Sequence, residues 1–468
     1  MYNNNRGGLH FGPLLIITFL VLVLVPLVVL CVFRFEGKPP VVQIHPGAET
    51  IGAETDLTIT VTDEKSGIKK IWIALFKDQK ETVLYDQVLS PGLFFTGSGI
   101  HEEEVLLTIK PRELGLSDGV ADLRIAVSDC AMKGLFKGNR TYIEHKITID
   151  TRTPSVEVLT NSHNVAQGGA CVVIYRVSEQ AESGVWVGDR FFPGYPGYFS
   201  DPDICMAFFA FPYNSGENTD IFLTAVDSAK NETKAGFPCY IGKRKFKNDK
   251  IRLSDNFLRS KMPEFETYGI GEHASLKEKF LYVNRTIRQK NNDTIINACK
   301  DSTPEILWNG RFLRLPGSAE RAAFADHRTY MYKDKAIDEQ THLGIDLAST
   351  AHSPVAASNS GKVVFSDNVG IYGKTVIIDH GFGLFSVYAH LSRLIVTAGQ
   401  EAGKGKIIGY TGATGMAGGD HLHLGMLIHN TFVNPLEWWD TTWIKHNITD
   451  KIEAIKTTSQ KPEATESA

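Results

Sequence analysis

The stretch richest in chemistry opens with His342-Leu-Gly-Ile-Asp346, a histidine and an aspartate four residues apart. Tyr388-Ala-His390-Leu391 and His421-Leu-His423 follow it. Imidazole and carboxylate groups suit zinc, and three protein ligands with one position left to water make a catalytic rather than a structural site. Seven of the fifteen histidines lie between His342 and His429. A single histidine is more often a satisfied structural residue than a ligand; the constellation reverses that expectation.

The spacing says how the chain must run. Leu343, Ile345 and Leu347 alternate with His342, Gly344 and Asp346, the period of two that marks a strand edge. On a fully extended strand His342 and Asp346 would stand about 13 Å apart, too far for one ion. A bend is therefore expected between them, with Gly344 placed to allow it. His421 and His423 share one face of a second strand, while Leu422 and Leu424 turn to the core. No H-E-x-x-H helix supplies a glutamate base, so histidine must carry the proton transfers.

The region resembles the LytM/lysostaphin-type zinc metallopeptidases, family M23. The matching stretches, in order, are His342-Leu-Gly-Ile-Asp346, Pro354-Val-Ala-Ala, Ser360-Gly-Lys-Val-Val, Tyr388-Ala-His-Leu, Gly409-Tyr-Thr-Gly-Ala-Thr-Gly, His421-Leu-His-Leu-Gly and Val433-Asn-Pro-Leu-Glu-Trp438. The resemblance implies one zinc per catalytic domain, with His342, Asp346 and His423 as ligands and His390 and His421 as catalytic histidines outside the ligand set. Zinc in such a set lowers the pKa of water toward neutrality and polarises a peptide carbonyl. His380 fits a structural position, while His352 and His429 read as groove-lining or surface residues. Asp420 stands where many relatives have proline, and its charge is expected to raise the pKa of His421. Members of this family often cover the open metal position with a preceding segment, here the stretch from Arg311 to Gln340 with the Asn309 amide as a candidate to reach the metal. The helical residues Ser275 to Lys290 could equally lie across the groove, and the alternative is a passive spacer between membrane and wall.

The elements that must position these groups read as short strands. Val363 to Phe365, Val376 to Ile378, Phe385, Val387, Ile407 and Ile408 supply β-branched and aromatic cores. The glycines from Gly399 to Gly425 lack the order of a phosphate cradle and read as tight turns. The expected C-terminal domain, 305–440, is an antiparallel β-sheet with the site in a groove, which suits an extended peptide.

The remainder is organised around location. Leu14 to Phe33 is an apolar run of about twenty residues, long enough to span a bilayer, with no small-residue cleavage site after it. Residues 1–13 are then a short tail and 14–33 a single-pass anchor. The enzyme class implied by the resemblance puts the catalytic domain on the periplasmic or extracellular side of the inner membrane. Two segments, 39–150 and 151–242, each begin with a proline-led strand and end in an alternating strand closed by Asp129 or Asp227, as in immunoglobulin-like sandwiches. They are expected to act as spacers or to bind cell-wall or divisome proteins.

Residues 243–304 read as a helical linker, with Ser254 and Ser275 as N-caps. Past Asp440 a short helix is expected to about Ile455, inside a C-terminal stretch, 441–468, that ends in a disordered tail. Cys205 with Cys239, or Cys171 with either, could bridge the second sandwich. A net charge of −4 argues against nucleic acid as partner. The overall expectation is a mainly β, membrane-anchored zinc endopeptidase acting on the peptides of bacterial peptidoglycan. The alternatives are a catalytically inactive relative that regulates a wall amidase, and an endopeptidase acting on proteins.

Overall fold

The computed structural model describes residues 11–459 except 48, 90–98, 134–136 and 272. It divides into two compact units. One is built on residues up to Thr153 together with Val226–Asn231, the other on Pro154–Ala225 and the chain from Glu232 onward.

The first described element is a helix, Phe11–Arg34, that keeps Pro26 inside it. The anchor expected at 14–33 falls on this helix. Among the described residues, however, no helix is long and apolar enough to cross a membrane. The last residues of the expected tail, 460–468, lie outside the described residues.

The first unit is two sheets face to face. Val41–His45, Thr55–Thr62 and Glu102–Ile109 pair in one; Thr50–Ile51, Arg140–Ile149, Gly119–Asp129, Ile68–Lys77 and Lys80–Val88 pair in the other. Alternation drives this. Along Gly119–Asp129 every second residue is buried, and Ala121, Leu123, Ile125 and Val127 join Leu57, Ile59 and Val61 of the opposite sheet in one cluster.

In the second unit an eight-stranded antiparallel sheet carries the histidine motifs. Its order runs Ala319–Ala322, Ile345–Ala348, Leu422–Ile428, Leu384–Leu391, Gly373–Asp379, Gly361–Val369 and Glu401–Ala402, with Thr431–Val433 pairing to Leu422–Ile428. A three-stranded sheet of Asn248–Leu253, His327–Tyr332 and Lys335–Thr341 leads into the first motif. Two buried clusters hold the unit together. Leu384, Met426, Ile428, Val433 and Trp438 of the C-terminal region share one with Val172, Phe208 and Phe209 from the Pro154–Ala225 part. The other joins Ile377, Tyr388 and Leu424 to the helical residues Leu258, Phe265, Phe280 and Ile287. Segments that read as separate modules in sequence thus bury their apolar faces against the sheet that bears the histidines.

The helix starts lie where side-chain acceptors stand. The Ser254 hydroxyl accepts the Phe257 N–H before Asp255–Lys261. Ser275 and Glu278 form a reciprocal capping box before Leu276–Tyr282. That second helix runs on past Lys290, through a π turn at Val283–Ile287 and on to Ala298, because Val283, Ile287 and Ile295 are drawn into the core. At the other end Asp440 caps the helical stretch that continues through Asp450–Ser459. The bridge considered among Cys171, Cys205 and Cys239 is not formed; all three are free thiols.

Candidate active site

Sheet register brings the residues together. Asp346 pairs directly with His423 across the two antiparallel strands, and His423 pairs on its other side with Ala389, the neighbour of His390. His342 is not on the same strand as Asp346. One strand ends at Thr341 and the next begins at Ile345, and the turn between them closes the distance that an extended chain would impose. Backbone bonds lock the turn, with the His342 N–H donating to Asp326 O at 2.9 Å and Ala325 N–H to His342 O at 2.7 Å. Gly344 serves this turn through space rather than through a special backbone angle. A Cβ there would lie 2.5 Å from His423 Nε2 and 2.7 Å from Leu424 O.

Three candidate ligand atoms converge as a result. His342 Nε2 is 2.9 Å from Asp346 Oδ1 and 3.0 Å from His423 Nδ1, and His423 Nδ1 is 3.0 Å from Asp346 Oδ1. The other nitrogen of His342, Nδ1, donates to Ala323 O at 2.9 Å, which leaves Nε2 with a lone pair aimed at the carboxylate. Lone pairs this close repel unless a positive charge, a proton or a metal cation, sits among them. Two imidazole nitrogens and one carboxylate oxygen are a donor set that fits zinc. With protons rather than a cation among these atoms, burial opposes ionisation of Asp346, but the His342 charge and hydrogen bonds from His342, His421 and His423 hold its carboxyl well below the usual range. The Arg328 Nη2 atom donates to Asp346 Oδ2 at 2.9 Å and fixes the carboxylate from behind.

The two further histidines flank this cluster. The His390 ring lies 4.9 Å from that of His421 and 5.8 Å from that of His423. Each anchors its Nδ1 on a carbonyl at 2.8 Å, His390 on Thr414 O and His421 on Gly419 O. The His390 Nε2 atom is therefore left to exchange protons with a substrate, while His421 Nε2 faces Asp346 Oδ1 at 3.6 Å. His390 reaches its place with a left-handed backbone, φ +61°, an unusual conformation for a residue with a side chain. Burial, then the neighbouring His421 and His423, keeps His390 neutral, well below the ordinary imidazole value. Burial also works against the His421 cation, yet its hydrogen bond to Asp346 and that residue's charge outweigh it and raise the pKa.

That rise has a different source from the one expected. Asp420 turns away toward His352, accepting its N–H at 3.2 Å. His352 is a surface residue, its side chain 70% exposed. His429 is a correction: it is buried, stacked on Tyr195, with its imidazole pushed down to about 4 by burial. His380 is also buried, held between Ser360 O and the Ser386 hydroxyl, each at 2.7 Å. Asn309 is a second correction. Its N–H donates to Asn359 Oδ1 and its carbonyl accepts from Asn359 and Lys404, in a depression separate from the histidines.

The cluster opens into a groove of about 430 Å³. Its walls include residues that carried no mark in the sequence: Arg328, Tyr372 beside His423, Leu253 at the end of strand Asn248–Leu253, and Phe257 and Arg288 from the helical segment. Only the pairing of Arg328 with Asp346 across 18 residues gives that arginine a role, and no sequence periodicity announces it.

Residues 340–435 match the model of peptidase family M23. Over 95 residues the chain is 41% identical to the DD-carboxypeptidase/endopeptidase Mpg of Neisseria meningitidis serogroup B, an alignment covering 20% of this chain and 22% of that protein. It is 36% identical over 96 residues to the peptidoglycan DD-endopeptidase ShyA of Vibrio cholerae, again 20% of this chain and 22% of that one. A zinc-containing peptidase structure from Vibrio cholerae aligns at TM-score 0.26 and 11% identity, covering 93% of this chain and 98% of that chain. The chain thus spans 22% of the length of these curated relatives.

Proposed function

We propose that this chain, which carries a metallopeptidase domain of family M23 at residues 340–435, is a zinc endopeptidase that hydrolyses peptide bonds in peptidoglycan. The observation that carries the reading is the convergence of His342 Nε2, Asp346 Oδ1 and His423 Nδ1 to within 3.0 Å of one another. Zinc held there would supply Lewis acidity toward a carbonyl and a nucleophilic water at neutral pH. The chain's own residues do the rest. The Nε2 atoms of His390 and His421 take up a proton and deliver one to the leaving amine, that of His421 from beside Asp346, and the groove seats an extended peptide between the sheet and the helical wall. Arg328 keeps the Asp346 carboxylate in one orientation throughout.

The peptidoglycan substrate is supported by the names of the curated relatives, which act on that polymer or are DD-peptidases. An inactive amidase regulator would be expected to have lost a ligand, and here all three candidate ligands stand in place. An anchor at residues 14–33, with the catalytic unit outside the inner membrane and the first β unit as a spacer or docking site for wall proteins, completes the proposal. Zinc analysis of the purified chain, followed by digestion of sacculi and mass spectrometry of the released muropeptides, tests it. Cleaved cross-links that vanish on chelation are expected; zinc-loaded protein that leaves sacculi intact would overturn it.

A further inference from the structure

Far from the histidine motifs in sequence, the first β unit gathers three carboxylates where its chain enters the sheets. Glu36 precedes the first strand, Asp63 follows Thr55–Thr62, and Asp129 ends Gly119–Asp129. One oxygen from each lies within 4.8 Å of the others. Asp63 is 4% exposed and Asp129 fully buried. Lys38 is turned away to Glu64 at 3.1 Å. Lys65 beside Glu36 and His101 beside Asp63 offset only part of the cost of like charges packed this way. Burial and then the Asp63 charge raise the Glu36 carboxyl; burial also raises Asp63, and Asp129 adds to it.

A buried carbonyl beside them points the same way. Asn139 is 3% exposed, and its Oδ1 has no hydrogen-bond partner among the described residues. The amide is held inside the cluster, its Nδ2 donating to Asp129 Oδ2 at 2.7 Å and to the Glu36 carbonyl at 3.3 Å. The same clamp occurs once more in this unit. Asn231 grips Asp227 through Nδ2 at 2.8 Å and the Asp150 carbonyl at 2.9 Å, and there its Oδ1 accepts the Ala53 N–H at 2.7 Å. Two copies of one device thus differ in the carbonyl: one is satisfied by a backbone donor, while the other, on an amide whose nitrogen bonds Asp129, has no partner among the described residues. A sealed, unpaired carbonyl costs stability unless something electropositive meets it.

We propose that Glu36, Asp63, Asp129 and the Asn139 carbonyl bind a calcium ion. Carboxylates and an amide oxygen are hard donors suited to calcium, and a partly exposed Glu36 leaves room for the water ligands that complete its six- to eight-fold shell. The ion would tie the entering segment at Glu36 to the ends of two strands from opposite sheets and so stiffen the start of the unit.

Calcium titration of the full-length, zinc-loaded chain by calorimetry tests this, with thermal unfolding in parallel. One saturable site is expected, with a Kd on the order of 10⁻⁴–10⁻³ M as in extracellular modules, and a melting temperature that rises with calcium. Glu36→Gln keeps an oxygen for the Ser66 N–H but removes the charge, and should weaken binding at least about tenfold and abolish the melting shift. Asp63→Asn should do the same. Glu64→Gln, exposed and outside the cluster, should bind as the native chain does. No saturable heat in the native chain, native affinity in Glu36→Gln, or equal loss in Glu64→Gln would each overturn the proposal and leave the carboxyls sharing a proton.

Discussion

Asp346 and His423 are direct cross-strand partners, and Asp346 Oδ1 stands 3.0 Å from His423 Nδ1. Directly opposed residues of an antiparallel pair have Cβ atoms about 4.5–5.5 Å apart, so sheet register alone brings these two groups within reach of one ion. His342, delivered by a turn, is the third arm. Two arms on rigid strands and one on a locked turn make a site whose geometry is set before a substrate arrives.

Removing an arm should remove the metal. His423→Ala is expected to purify with little zinc and no detectable hydrolysis of sacculi, while the full-length chain carries about one zinc per catalytic domain. Elemental analysis of both proteins is the check; full zinc occupancy in the variant would mean that His423 is not a ligand.

The flanking histidines should behave otherwise. His390→Ala and His421→Ala should retain zinc and lose about 10²–10⁴-fold in kcat, the usual range for lost proton-transfer help. Zinc content and turnover measured on the same preparations separate the two roles. Metal loss or native turnover in either variant contradicts the assignment.

Space at Gly344 is a requirement of the site. Gly344→Ala puts a Cβ 2.5 Å from His423 Nε2 and 2.7 Å from Leu424 O, one the ring of a candidate ligand and the other backbone. Relief must come from shifting the turn or the ring, at a cost of about 1–3 kcal/mol. Weakened zinc retention against a chelator is expected, and retention equal to the native chain would show that the turn yields freely.

Glu437 links stability to pH. It is buried, accepts the Ala170 N–H and the Arg244 guanidinium at 2.9 Å each, and burial pushes its carboxyl up to about 7. A raised folded value means that the folded state holds the proton more tightly. The contribution is complete below the unfolded value, 4.5, and is lost as pH rises toward about 7. Urea unfolding should show the native chain losing stability, relative to Glu437→Gln, across that window by on the order of 3 kcal/mol. A difference between the two proteins that stays constant with pH refutes this.

Truncation should expose shared cores. A chain starting at Glu305 loses Leu258, Phe265, Phe280 and Ile287 from the cluster under Ile377 and Tyr388, and one starting at Lys243 loses Val172, Phe208 and Phe209 from the cluster under Met426 and Trp438. Both are expected to be insoluble or molten, whereas a chain starting at Pro154 should give a sharp unfolding transition. A cooperative, zinc-loaded 305–468 fragment would show that the sheet needs neither partner.

The sequence by itself determined the groups that carry the chemistry and much of the local structure. Histidine and aspartate at these spacings name the donor atoms, β-branched alternation marks strands such as Gly119–Asp129, and Ser254, Ser275 and Asp440 start helices, because capping and periodicity act within a few residues. Only the tertiary structure decided how those groups meet. That Arg328 rather than any neighbour steadies the Asp346 carboxylate, that Asp420 faces His352 and that His429 is buried all depend on contacts between distant segments. The same holds for the sharing of apolar faces between the Pro154–Ala225 part, the helical segment and the sheet. Hydrophobic burial has no direction and no sequence distance, so a pattern can say that a face must be covered but not which remote surface covers it.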